Sequence, residues 1–319
     1  MSQQFHVVFG GGQVGYPLAQ LLQQRGHRVR IVRRSEGSVP PGVGALRGDA
    51  MDPQFCREAA RGATVVYHCM NPPYSTRVWA EQVPRHIDNL IGAAGDAGAR
   101  LVVLDNLYAL GAPHGRKLSE DTQINPRSKK GAIKARAAEQ LFAAHQRGAV
   151  VATLARASDY YGPRGTLTGL GDFFWPRALA GKTAYTPYSP DAVHTYHYIP
   201  DVAFGLATLG EADASAFGGT WMLPCAPAGS LRDIVVRLEA AIGRRLQLAV
   251  IPVWLQRVLG VFVPVLGELP EMAYQFEEPF VVDDTRFRAR FRVEPASPAR
   301  AAAETVAWAL EHYVKPAAH

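Results

Sequence analysis

The 319 residues suffice for one large domain or for a nucleotide-binding domain with a smaller companion. Hydrophobic residues make up 48% of the chain and charged residues 19%, which excludes a disordered protein. The net charge of +6 comes from basic residues that are scattered along the chain and form no long run. This pattern favours an anionic small-molecule partner and argues against nucleic acid.

The cysteines and the apolar segments indicate the cellular compartment in which the protein is expected. Cys56, Cys69 and Cys225 are far apart and include no CxxC pair, which predicts reduced thiols. The N-terminus has no basic segment followed by a long apolar one, so we expect a cytoplasmic protein. Residues 249–266 are apolar but interrupted by prolines and an arginine, which favours a core or interface helix over a membrane span. The sequence leaves the oligomeric state open, and a homodimer is one of the alternatives.

The first half of the chain alternates short apolar segments with segments of helical periodicity. The pattern predicts strands at 5–9, 28–32, 64–67, 101–104 and 150–154, with helices at 14–25 and about 126–146. Such alternation is typical of right-handed βαβ units. It predicts an α/β fold with a Rossmann-type, doubly wound parallel sheet.

The pattern weakens after Gly162-Pro163, where prolines and glycines become dense. A strand followed by a helix returns at 198–209, and 230–312 is mainly helical. We therefore predict a dinucleotide-binding core over 1–163, rejoined by about 195–223. A smaller, mainly helical region over 164–194 and 224–319 is predicted to cover the substrate.

A glycine-rich segment directly follows the first predicted strand and opens the first predicted helix. Gly10, Gly12 and Gly15 fit the spacing GxGxxG, with Gln13 and Val14 inside it. Glycines permit the tight turn and let the backbone approach a pyrophosphate, while the helix N-terminus offers free N–H groups. The segment predicts a dinucleotide-binding loop.

The end of the second predicted strand indicates which dinucleotide is preferred. Arg33 and Arg34 stand where NAD-binding proteins usually have an acidic residue for the ribose 2′-hydroxyl. A guanidinium suits a 2′-phosphate, so we expect NADP(H) to be preferred over NAD(H). A presumed third strand lies between those at 28–32 and 64–67, and Asp49, which follows it, is a candidate acceptor for the adenine amino group.

Several ordered motifs together resemble the extended and atypical short-chain dehydrogenase/reductase superfamily, the NAD-dependent epimerase/dehydratase-like branch. They are the glycine loop, Gly48-Asp49, the strand ending at 65–69, the stretch 156–163 (RASDYYGP) and the stretch 198–203 (YIPDVA). The resemblance implies cofactor contacts from Cys69, Met70 and Asn71, after the fourth strand. It also implies a Tyr-x-x-x-Lys pair and a serine or threonine after the fifth strand.

The chain departs from that catalytic pattern in two places. Asp105 and Asn106 stand where the family tends to have serines, and no tyrosine occurs between Ile124 and Gln140. Lys130 and Lys134 have the four-residue spacing, with Lys130 in place of the tyrosine. Lys134 would then contact the cofactor as well as the reacting groups.

Other side chains at the ends of strands are candidates to replace the missing tyrosine. Tyr108 is the candidate proton donor, and Asn106, Lys130 and Lys134 complete the candidate catalytic set. Asp105, Tyr160 and Tyr161 are the candidate substrate contacts. His194 and His197 form an H-x-x-H spacing without a nearby acid, and we expect no metal site there.

Three functions compete. The leading hypothesis is an NAD(P)-dependent oxidoreductase that acts on a small molecule bearing a carbonyl or an enone. A second is a catalytically silent dinucleotide sensor, similar to the regulatory NmrA-like branch. A third is a nucleotide-sugar epimerase or dehydratase, which usually depends on the tyrosine that this chain lacks.

Overall fold

The computed structural model describes residues 3–314. Its strands are β1 (Phe5–Phe9), β2 (Arg28–Arg33), β3 (Gly44–Arg47), β4 (Val65–His68), β5 (Arg100–Asp105), β6 (Val151–Arg156), β7 (Asp159–Tyr161), β8 (Ala184–Thr186), β9 (Tyr196–Tyr198), β10 (Thr220–Met222) and β11 (Leu248–Val250). Each strand predicted in the first half is present, within two residues at either end.

The helices alternate with these strands. They are α1 (Gly15–Gln24), α2 (Pro53–Ala60), α3 (Thr76–Asp96), α4 (Lys129–Gln146), α5 (Trp175–Leu179), α6 (Ile199–Glu211), α7 (Leu231–Ile242), α8 (Val253–Leu259), α9 (Pro264–Glu268), α10 (Thr285–Phe291) and α11 (Pro298–Tyr313). Short 3₁₀ turns lie at Tyr108–Leu110, Ala214–Ala216 and Pro270–Phe276.

Seven strands form one parallel sheet in the order β10-β6-β5-β4-β1-β2-β3. All five residues of β1 are buried, which is expected of a central strand covered on both faces. The strand order reverses between β1 and β4. In open α/β sheets, ligands bind beyond the carboxyl ends of the strands at such a reversal.

Helices cover both faces of the sheet. One hydrophobic core joins Val7 and Val66 to α2, α3 and α4, and the other joins Val8 and Val65 to α1 and α6. The predicted Rossmann-type, doubly wound fold is thereby confirmed, together with the mainly helical C-terminal region.

The later part of the chain builds a second core beside the sheet. Helices α7 and α11 pack together there with Trp175 and Ala184, and β8 pairs in parallel with β11. Residues 249–266 differ from the single helix expected, because Pro252 and Pro264 divide them into the end of β11, α8 and α9. Several apolar side chains of that stretch, including Trp254 and Phe262, are exposed rather than in a core.

Among residues 3–314, no helix combines the length and the apolar character needed to cross a membrane.

Candidate active site

The glycine loop lies between the carboxyl end of β1 and the start of α1. Gly10 has φ +104°, and a side chain there would meet the Cys69 carbonyl oxygen at 2.7 Å. A side chain on Gly15 would lie 1.7 Å from the Gly10 oxygen. Both positions therefore require glycine so that the loop can close against β4 and α1 can begin directly behind it.

Gly12 is different, because a Cβ built on it has no atom within 4 Å. Its α-carbon faces open space, which is what the close approach of a pyrophosphate needs. The first turn of α1 contains no acidic side chain, and Val14 offers no side-chain cap to the free N–H groups. The loop and helix terminus therefore fit an anionic dinucleotide phosphate.

Three arginines gather at the carboxyl ends of β2 and β3. The Arg33 guanidinium lies beside the glycine loop and donates to the carbonyls of Ser38 and Glu36 at 3.1 and 3.2 Å. Arg34 is exposed, and Arg47 donates to the Arg34 carbonyl at 3.3 Å. Arg47 was missed from the sequence, and only the pairing of β2 with β3 brings it here.

The remaining cofactor candidates lie on the same edge of the sheet. Asp49 is exposed, and one of its carboxylate oxygens accepts from the Met51 N–H at 3.0 Å. Cys69 donates its N–H to the Phe9 carbonyl at 2.8 Å, which joins the ends of β4 and β1. Met70 is partly buried and Asn71 is exposed.

A charged group of three side chains lies at the carboxyl end of β5. Lys134 of α4 contacts Asp105 at 3.1 Å, and Arg156 of β6 contacts the other carboxylate oxygen at 3.4 Å. All three are nearly inaccessible to solvent. Because two cations share one anion, the group carries a net positive charge when all three side chains are ionised.

Tyr108 begins the turn directly after β5. Its ring stacks on Trp79 with centroids 6.1 Å apart, and the Lys134 Nζ lies 5.4 Å from the centre of the same indole. Asn106 accepts from the Tyr108 N–H at 3.1 Å and so fixes the turn. The structure thus brings Tyr108 and Lys134 to one aromatic side chain, and Asp105 contacts the lysine.

The environment of Tyr108 decides its protonation. Burial, followed by the charges of Tyr74 and Asp159, raises the pKa of Tyr108 well above its usual value. Tyr108 is therefore a neutral phenol at physiological pH and retains a proton to donate. Its hydroxyl lies 3.4 Å from that of Tyr74, a residue that sequence reasoning missed.

Lys130 has a different setting, although it lies one turn before Lys134. Its Nζ contacts Glu268 and Glu271, each at 2.5 Å, and Thr76 Oγ1 at 3.1 Å. The side chain is fully buried. Burial opposes ionisation of Glu268, but the hydrogen bonds from Lys130 and Thr76 prevail and lower the pKa of that carboxyl.

The two candidate substrate tyrosines point to opposite sides of β7. Tyr160 packs against the hydrophobic core that includes β1, α1 and α6, and burial, followed by the charge of Asp105, raises its pKa. Tyr161 packs against Tyr198 in the C-terminal core, with centroids 5.6 Å apart, and burial raises its pKa to about 12. The two tyrosines therefore join different cores, Tyr160 on the side of the parallel sheet and Tyr161 in the C-terminal core.

Asp159 and His194 form a further polar group that was not predicted. His194 Nε2 lies 2.8 Å from an Asp159 carboxylate oxygen and 3.0 Å from Ser158 Oγ. His197 instead contacts the Ser158 N–H and the Leu223 carbonyl. Within residues 3–314 no three metal-ligating side chains come together. The sequence signal for this group was Asp159, an acidic residue at the start of β7.

Comparison with known proteins decides the family. A model described as the NAD dependent epimerase/dehydratase family matches residues 6–221, which is more than half of the chain. The chain belongs to the NAD-dependent epimerase/dehydratase family. The predicted superfamily and the prediction of an enzyme that uses a nicotinamide dinucleotide are thereby confirmed.

Relatives of this epimerase/dehydratase-family chain include a reductase. It is 34% identical over 112 residues to a 2-alkyl-3-oxoalkanoate reductase of Stenotrophomonas maltophilia strain K279a. That match covers 34% of this chain and spans only 29% of the reductase.

Solved structures of similar fold include several proteins with bound NAD. A dTDP-glucose 4,6-dehydratase double mutant from Streptomyces venezuelae, with NAD and DAU bound, has a TM-score of 0.77 at 18% identity, covering 96% of this chain and 97% of its own. The UDP-glucuronic acid 4-epimerase of Bacillus cereus, in complex with NAD, has a TM-score of 0.76 at 16% identity, covering 97% and 99%. At these identities the likeness concerns the fold.

Proposed function

We propose that the protein is an NADP(H)-preferring reductase of a small molecule bearing a carbonyl or an enone. The observation that carries the proposal is the arrangement at the end of β5. There a neutral tyrosine, Tyr108, and a buried lysine, Lys134, contact the same indole beside the edge where the glycine loop lies. Together they supply a proton donor and a cation without the motif tyrosine.

The loop residues Gly10, Gly12 and Gly15 would hold the pyrophosphate, and Arg33 and Arg34 would face the ribose phosphate. The cofactor supplies the hydride. A hydride added to a carbonyl or an enone leaves negative charge on the substrate oxygen, and a nearby O–H or N–H stabilises that charge as it develops.

Tyr108 is the proton donor in this proposal. Its raised pKa keeps the phenol protonated at physiological pH, so that it can hydrogen-bond the substrate oxygen and give up its proton as the oxygen becomes basic. Asn106 holds the turn that presents Tyr108 and cannot itself supply a proton.

Lys134 is the cofactor-side cation. Asp105 fixes its amine, and its remaining N–H groups are available to the cofactor ribose. We assign Lys130 a structural role instead of the catalytic role expected from the sequence. Its amine is already committed to two carboxylates and a hydroxyl, so it fastens the C-terminal segment to α4 rather than acting on substrate.

The partial match to a 2-alkyl-3-oxoalkanoate reductase supports a carbonyl substrate. The alternative is a nucleotide-sugar epimerase or dehydratase, which the structures similar in fold favour. A silent sensor is a further alternative, and it requires cofactor binding without turnover.

A direct assay separates these functions. Purified protein is incubated with NADPH or NADH and a panel of 3-oxo acids and their thioesters, enones and nucleotide sugars, and cofactor oxidation and products are measured. We expect NADPH oxidation with a carbonyl or enone compound. Conversion of a nucleotide sugar without net cofactor oxidation would replace the proposal with the epimerase or dehydratase. Tight NADPH binding with no turnover of any compound would replace it with the sensor.

A further inference from the structure

A small cavity lies beside the proposed catalytic lysine, between α3, α4 and the carboxyl ends of β4 and β5. Its free volume of about 10 Å³ is enough for one water molecule. Most of its wall is apolar. Four polar side chains interrupt that wall: His68, His86, Asp105 and Lys134.

His68 is the most unusual member of the wall. It is 4% exposed, and neither of its ring nitrogens has a hydrogen-bond partner among residues 3–314. His86 is 6% exposed, and its Nδ1 likewise has no partner in that range. The two ring centroids are 6.0 Å apart. Enclosed polar atoms are rarely left unpaired in native proteins, and a buried water commonly pairs them.

Burial, more than any neighbouring charge, keeps both imidazoles neutral. Burial, then His86, then the Lys134 ammonium lower the pKa of His68 to about 3. Burial also lowers the pKa of His86, with Asp49 opposing and Arg34 and Lys134 contributing. A neutral imidazole has one N–H donor and one acceptor nitrogen, which is what binding a water requires.

Lys134 has the donors to complete such a site. An ammonium carries three N–H groups, and Asp105 takes one of them at 3.1 Å. One can point into the cavity, whose wall Lys134 helps to form, and one remains for the cofactor. Lys134 lines the same cavity as His68 and His86, so its charge lies near both imidazoles.

We propose that His68 and His86 hold one water molecule that accepts a hydrogen bond from the Lys134 ammonium. His68 is then a positioning residue for Lys134, because it fixes the amine through this water. The inference rests on the proposed function only for the role of Lys134 in turnover. The hydrogen-bonded site itself is independent of any substrate.

The first test needs no substrate. The full chain is labelled with ¹⁵N-histidine, and the imidazole nitrogen signals are compared between wild type and Lys134→Met. We expect the His68 and His86 signals to shift, while exposed His114 does not. A crystal structure should show one water within hydrogen-bonding distance of His68 and Lys134. Unchanged histidine signals, or a cavity without that water, would overturn the proposal.

The second test measures positioning. His68→Phe removes both nitrogens and fills the cavity, and we expect NADPH to bind about tenfold more weakly, as for one lost charge-assisted hydrogen bond. His68→Gln retains a donor and an acceptor and should recover most of the affinity. His6→Phe, at a buried histidine outside the cavity, is the control and should bind normally. Normal NADPH affinity in a folded His68→Phe protein would contradict the positioning role.

The kinetic readout separates failure of this inference from failure of the proposed function. If wild type turns over a carbonyl compound, His68→Phe should lower kcat, with His68→Gln rescuing it. An unchanged kcat counts against the inference. If wild type turns over no compound, the proposed function fails, and the nitrogen signals and the NADPH affinity still decide the water site.

Discussion

The glycine loop after β1 and the charged residues near the end of β5 differ in what forms them. At the proposed cofactor site the backbone is the main element, and Gly10, Gly12 and Gly15 contribute by having no side chain. At the proposed catalytic site charged side chains are the main element, and nearby ion pairs of Lys130 and Lys134 join α4 to other elements. A backbone site tolerates almost no substitution. A side-chain site can be rebuilt from other residues, and in this chain two carboxylates hold the buried amine of Lys130.

The largest effect should come from the backbone site. In Gly12→Val the new side chain projects into the space that no protein atom occupies, so the fold should survive while NADPH affinity falls by at least about 100-fold. Titration with NADPH and a thermal melt measure the two properties. Gly219→Val, also in open space but on the surface of another loop, is the matched control. Normal NADPH binding by Gly12→Val would show that the pyrophosphate lies elsewhere.

Lys134→Ala tests the side-chain site. Removal of the amine leaves Asp105 with Arg156 as its one cationic partner among the described residues, and removes the proposed contact to the cofactor ribose. We expect a loss of about 100-fold in turnover, together with weaker NADPH binding. Steady-state kinetics and a cofactor titration measure both. Unchanged values would remove Lys134 from the mechanism.

Lys130→Met should instead affect stability. It leaves Glu268 and Glu271 without their shared cation, and breaking a buried ion pair costs about 3 kcal/mol of the free energy of unfolding. Urea unfolding measures the change, and Lys129→Met at the exposed neighbouring position is the control. A variant as stable as wild type but without turnover would restore Lys130 to the catalytic set.

The smallest effect should be on cofactor choice. Arg34→Ala should weaken NADPH binding about tenfold and leave NADH binding nearly unchanged, because only NADPH carries the 2′-phosphate that an arginine contacts. Parallel titrations at one salt concentration measure the preference. Arg147→Ala, at the far end of α4, controls for the loss of one positive charge. Equal weakening for both cofactors would count against a 2′-phosphate contact.

Features that depend on neighbouring residues could be predicted from the sequence, whereas contacts between distant residues could not. The strands and the glycine loop follow from local patterns, so their positions were found from neighbouring residues. The partners of Lys130, by comparison, lie 138 and 141 residues away and are brought to it only by the packing of the C-terminal segment. Local reasoning therefore treated Lys130 as a free catalytic group.

For Tyr160 and Tyr161, the alternation of side chains along a strand could have corrected the prediction that both contact the substrate. Successive side chains of a strand point to opposite faces, so the two tyrosines of β7 cannot both face the cleft. The choice between them depends on which face of β7 meets the sheet. Tyr74 was missed because it precedes α3 in a loop, and no periodic pattern indicates its contact with Tyr108.

The central claim is that Tyr108 replaces the missing motif tyrosine as proton donor. The most direct measurement is the rate of NADPH oxidation by Tyr108→Phe, with the substrate found in the panel and with Tyr74→Phe as the matched control. Phenylalanine keeps the stacking on Trp79 and removes only the hydroxyl. The account predicts that kcat falls by about 100-fold or more in Tyr108→Phe, with NADPH affinity retained and a smaller loss in Tyr74→Phe. Wild-type kcat in the Tyr108→Phe protein would contradict it.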